Sequence, residues 1–148
     1  MFLKELDVMT RSLRSAVIAA GALLLSHATC ATDLSGPWTL SIQNSQHVVV
    51  ATLEIEFTES DARSCLGGEW KKVNVVQATT RDDDFYPISE PLSYRVEDGH
   101  LTIGRNEKCD AYLLLKGAMA GPSISGDYFG YGRWGTSPRG YFELRRAR

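Results

Sequence analysis

Only one stretch of this 148-residue chain is continuously apolar, and it is short. Residues 15–26, SAVIAAGALLLS, fall well below the roughly 20 residues that a bilayer-spanning helix needs, and no other run comes near. No membrane span is expected. Histidine is scarce, and the two that lie past residue 31, His47 and His100, have no second His, Cys or carboxylate at metal-ligand spacing. The chain has no phosphate-cradling glycine loop and no nucleophile elbow. Ser, His and Asp are present, but a catalytic triad is a spatial arrangement that mere occurrence does not establish. The protein is therefore not expected to be an enzyme, and no cofactor or metal is expected.

What is present begins with a compartment. The apolar run stands behind Arg11 and Arg14 and is followed by small residues as far as Ala31. A positive start, a short apolar centre and a small-residue cleavage site make a secretory signal. Residues 1–31 are read as that signal, with Ser26 and Ala28 suiting cleavage after Ala28, and Cys30 or Ala31 as alternatives. Glu5 and Asp7 are unusual before such a centre, and Met9 offers a cleaner start than Met1. A lipid anchor on Cys30 is not expected, because His27 stands where a lipoprotein motif wants Leu. The domain is then residues 32–148, exported to a periplasmic or secreted location.

Residues 1–31 carry three Lys/Arg and two Asp/Glu out of 16 and 18, so 13 basic and 16 acidic residues remain, a net charge of −3. A duplex binder needs a clustered positive field, so nucleic acid is excluded as the main partner. Positive charge does collect late in the chain: Lys116, Arg133, Arg139, Arg145, Arg146 and Arg148 face only Asp127 and Glu143. This is either a basic tail on solvated strands or a docking patch for an acidic partner. Two cysteines remain after any cleavage, Cys65 and Cys109, and an oxidising compartment favours joining them. A bridge closing a loop of about 45 residues contributes roughly 4 kcal/mol.

Period-two alternation runs through the domain. Trp38, Leu40 and Ile42 alternate with polar residues, and Asn44-Ser45 offers a turn. Val49, Ala51, Leu53, Ile55 and Phe57 share a face, and Glu59–Glu69 reads as a loop. Val73 and Val75 continue the pattern, with a bulge expected at Lys71-Lys72, and a second loop runs from Thr80 to Pro91. Leu92, Tyr94 and Val96 lead to Asp98-Gly99, a hairpin signal because both residues tolerate positive φ. Leu101 and Ile103 return; Tyr112–Leu115, Ile124–Phe129 and Tyr141–Arg146 follow. No segment keeps a helical period. About eight antiparallel strands in sequence predict an all-β meander closed into a small barrel, which removes exposed edges; a β-sandwich is the fallback.

Gly36-Pro37-Trp38 at the first strand resembles the Gly-x-Trp opening of lipocalin- and avidin-type (calycin-like) secreted barrels. Ile124-Ser125-Gly126-Asp127-Tyr128 and Gly140-Tyr141-Phe142-Glu143-Leu144 resemble the closing hairpin of such proteins. The resemblance implies that Trp38 closes one barrel end. It implies no ligand residues, since nothing between the two ends matches.

Four groups of residues could carry function. The stretch Gly126–Phe142 interleaves Tyr128, Tyr131, Trp134, Arg133 and Arg139 with glycines. Flat rings offer contact area at low entropic cost and arginines grip oxyanions, as a binding loop requires; a plain hairpin is the alternative. Trp134 and Tyr131 are expected to be the most exposed. Asp82-Asp83-Asp84 lacks the spacing and glycine of a calcium loop and reads as solvated. His47 and His100 read as incidental. Cys65-Leu66-Gly67-Gly68 either presents Leu66 on a strapped loop or staples a barrel end. The expectation is a binding protein that engages a protein or envelope component through surface loops, in an inhibitor-like manner. A lipocalin-like carrier of a small apolar ligand is the alternative, favoured by an open interior, and a hydrolase is the third.

Overall fold

The computed structural model describes residues 32–148; the expected signal at 1–31 lies outside them. The strands are β1 (Pro37–Asn44), β2 (Val49–Asp61), β3 (Lys71–Thr80), β4 (Leu92–Glu97), β5 (His100–Arg105), β6 (Ala111–Ala118), β7 (Ser123–Gly132) and β8 (Gly135–Arg146). Each pairs antiparallel with the next, and β8 returns to β1 from Trp38↔Arg146 to Asn44↔Gly140, closing an eight-stranded barrel.

Local chemistry sets the connections. The Asn44 side chain accepts hydrogen bonds from the backbone N–H groups of Gln46 and Val48, both at 3.0 Å, and His47 turns the chain at φ 60°. Asp98 (φ 50°) and Gly99 (φ 72°) form a two-residue turn between the paired Glu97 and His100, whose twist matches that of the strands it joins.

The inward faces are those the alternation gives: Trp38, Leu40 and Ile42 from β1 and Leu53 and Ile55 from β2 are all fully buried. Trp38, Tyr86, Tyr128 and Phe142 are the bulkiest of the fully buried groups, and each such side chain contributes about 1.5–3 kcal/mol by leaving water. Glycine is required twice around Phe142, at Gly117 to leave room for its ring and at Gly126 to let β6 approach β7. A Cβ on Gly117 would stand 3.0 Å from Phe142 Cζ, and one on Gly126, opposite Phe142, 2.0 Å from the Lys116 oxygen.

Three features depart from the simple meander. β2 continues to Asp61, into the segment expected as loop, and its register against β3 shifts between Phe57 and Asp61, opposite Lys72. A second shift makes Val76 an extra residue, since Glu54 pairs with Gln77 and Ile55 with Val75. β3 then pairs with β4 only at Lys71–Val73. Beyond Val73 the wall is completed by the irregular segment 81–91, which sends Tyr86 into the core. Val96, which the alternation groups with the buried Leu92 and Tyr94, is 49% exposed.

Cys65 and Cys109 form a disulfide across 44 positions, with Cα atoms 5.3 Å apart. Beside it the Cys65 N–H donates to the Asn106 carbonyl, and Ser93 Oγ donates to Asn106 Oδ1 at 2.7 Å. The 62–70 loop is thus strapped against β4 and β5. Trp70 is buried there with the Arg95 guanidinium 5.0 Å from its ring.

Candidate functional site

β7 and β8 form the longest hairpin past the disulfide, turning through Arg133 and Trp134 between the paired Gly132 and Gly135. Gly135 has φ 99°, which an L side chain rarely tolerates. A two-residue turn leaves no neighbour to cover its side chains, and Trp134 is 96% exposed. Arg133 is exposed beside it. One step down, Tyr131 is 43% exposed and stacks on Tyr112 of β6, ring centroids 5.9 Å apart and planes 24° apart. These aromatic rings border an open cleft of about 740 Å³ whose rim also carries Lys108, Asp110 and Arg139. Aromatic area, three cations and open space thus meet at the hairpin end.

Tyr128 and Arg139, from the same stretch of sequence, do different work. Tyr128 is fully buried and its hydroxyl donates to the Phe85 carbonyl. Burial pushes its phenol well above the ordinary tyrosine range. Phe85 and Tyr86 meet its ring edge-on at 5.3 and 5.6 Å. Arg139 is the bulged residue of β8, between Pro138 and Gly140, which pair with Phe129 and Tyr128. Its guanidinium lies 5.3 Å from the Phe85 ring and 5.5 Å from the Tyr128 ring and donates to the Asp84 carbonyl. Tyr128 and Arg139 therefore hold the 81–91 segment, while Tyr131, Arg133 and Trp134 face solvent.

The other groups settle into structural positions. Asp82 and Asp83 accept the N–H groups of Phe85 and Ile88, both at 3.0 Å, so the acidic run caps its own turn. Among the described residues no three His, Cys, Asp or Glu side chains gather to hold a metal ion. His47 stacks on Tyr141 at 4.3 Å, and His100 Nδ1 contacts the Asp98 carbonyl. Leu66 is half-buried, its N–H bonded to Ser64 Oγ. Trp38 is fully buried at the start of β1, where its indole N–H donates to the Leu34 carbonyl and the Arg146 guanidinium lies 4.8 Å from its ring.

Sequence reasoning missed Trp70, Tyr86 and Arg105. The first two lie in irregular segments, where no periodicity marks a buried ring. Arg105 is a charged residue at an inward position of β5, 2% exposed, which alternation of apolar residues cannot announce.

No family model matches this chain, nor does any curated protein or solved structure. The fold alone defines its class: an all-β, disulfide-bridged, eight-stranded antiparallel barrel, compatible with a calycin-like fold.

Proposed function

We propose that this is an exported binding protein that engages a protein or envelope component through the β7–β8 hairpin. The observation that carries the reading is Trp134, 96% exposed at the two-residue turn of the β7–β8 hairpin. A fully hydrated indole gives up favourable burial, and exposed aromatic groups flanked by arginine are the composition of binding hot spots. Tyr131, stacked on Tyr112, extends the apolar strip, and Arg133 adds a fork for carboxylate or phosphate. The disulfide suits an oxidising, periplasmic or secreted setting. A filled interior favours this reading over a carrier with an open cup.

The paired substitution Arg133→Ala/Trp134→Ala tests it. The altered protein should keep its melting temperature and lose retention of the envelope component that the unaltered protein captures. Equal retention by both would remove the hairpin as the binding surface.

A further inference from the structure

Arg105 follows Leu101 and Ile103 on the inward face of β5, pairs across the ladder with Leu113, and is 2% exposed. Its guanidinium lies 4.6 Å from the Tyr86 ring, and Nη1 donates to the Glu90 carbonyl. Nε and Nη2 have no hydrogen-bond partner among the described residues. These two nitrogens share one edge of the guanidinium, the edge that grips a carboxylate through two parallel bonds. No acidic side chain supplies that carboxylate. Glu90 turns its own to Lys108 at 2.5 Å, while Asp82 and Asp83 accept backbone N–H groups. A permanent cation without a counter-charge is expensive to bury, and the arginine fork is the donor set suited to an oxyanion.

The 81–91 segment stands between this fork and solvent. It has no strand ladder on either side, since β3 pairs with β4 only at Lys71–Val73. Five polar cross-links hold it: the Arg81 N–H to the Val50 carbonyl, Tyr128 to the Phe85 carbonyl, Arg139 to the Asp84 carbonyl, Arg105 to the Glu90 carbonyl and Lys108 to the Glu90 carboxylate. Its displacement would break these contacts but no strand pairing. Tyr86 is its plug, fully buried against the guanidinium.

We propose that Arg105 is the floor of a lidded pocket for a small aromatic carboxylic acid, reached when the 81–91 segment lifts. The Nε–Nη2 edge takes the carboxylate, and the ligand's ring fills space given up by Tyr86, beside Tyr128 and Leu113. The site does not depend on the hairpin's proposed binding role, although Glu90, Leu113 and Arg139 also line the cleft beside the hairpin.

The test uses phenylacetate as probe and neutral phenylacetamide as control, at equal ionic strength. The 15N-labelled protein is titrated while the Arg105 Nε–H resonance, assigned by its loss in Arg105→Lys, is followed. The resonance should move saturably with phenylacetate and stay still with the amide. Tyr86→Ala, which removes the plug, should bind phenylacetate at least about tenfold more tightly, because less of the affinity is spent on opening the lid. Adding Arg105→Lys should abolish that gain. No movement of the Arg105 resonance, or equal movement with the amide, overturns the proposal. If Tyr86→Ala does not fold, the titration of the unaltered protein decides alone.

Discussion

The Arg146 guanidinium lies 4.8 Å from the centre of the Trp38 ring, and the two residues pair directly across the seam between β8 and β1. Arg146 also donates to the carbonyls of Ser35 and Asp33 at 2.5 and 2.7 Å. One side chain thus fastens the last strand, the first strand and the segment before it. Its side chain is 47% exposed, so water screens part of the effect. Arg146→Met, which keeps the apolar stem, should cost about 1–2 kcal/mol. The check is a lowered urea midpoint with an unchanged slope.

Glycine tolerance should divide sharply. A Cβ on Gly126 would meet the Lys116 oxygen at 2.0 Å and Gly117 Cα at 2.7 Å, all backbone atoms, whereas one on Gly121 meets nothing within 4 Å. Gly126→Ala should therefore destabilise by more than about 3 kcal/mol, since the β6–β7 ladder itself must part. Gly121→Ala should stay within about 0.5 kcal/mol. Thermal melts of the two variants decide the matter.

Breaking the Cys65–Cys109 bridge frees a chain segment spanning 44 positions. The Cys65→Ala/Cys109→Ala protein should lose roughly 4 kcal/mol of stability in the chain-entropy treatment. Hydrogen exchange should rise first at Cys65, whose N–H bonds to the Asn106 carbonyl, and along the strap it anchors.

Alkali should unfold the protein early. Burial raises the phenols of Tyr128, Tyr86 and Tyr94 above the ordinary tyrosine value. The unfolded chain starts to release these protons near pH 10, while the folded chain retains them. Stability is therefore full below about pH 10 and falls as pH rises toward the folded values. Urea midpoints measured up the alkaline range should drop, and Tyr128→Phe should flatten that drop. The same substitution should cost about 1 kcal/mol at neutral pH for the lost bond to Phe85.

Much of the barrel was legible from residue order because its hairpins are local. The alternation of Trp38, Leu40 and Ile42 and the turn Asp98-Gly99 carry their own geometry, and the disulfide was expected from the number of cysteines and an expected oxidising compartment. The loop ending at Pro91 was legible, but not that it sends Tyr86 into the core, because a plug is defined by the gap it fills, and that gap arises from the short β3–β4 pairing. Val96 misled because the pattern gives a side chain's face but not whether a neighbour lies over it. The hairpin showed the same division. Glycines around Arg133-Trp134 marked an exposed turn. Tyr131 and Trp134 were expected to be the most exposed and are; Tyr128, grouped with them as a binding residue, is instead buried in the barrel wall three residues before Tyr131.

The most direct measurement places a benzophenone amino acid at position 134, with a control at position 76, where Val76 is 59% exposed. Irradiation in the exported compartment should give a discrete cross-linked product from position 134 and none from position 76. Excess unaltered protein should suppress that product, and excess Arg133→Ala/Trp134→Ala protein should not. No product at 134, or the same products at both positions, would contradict the hairpin as the binding surface.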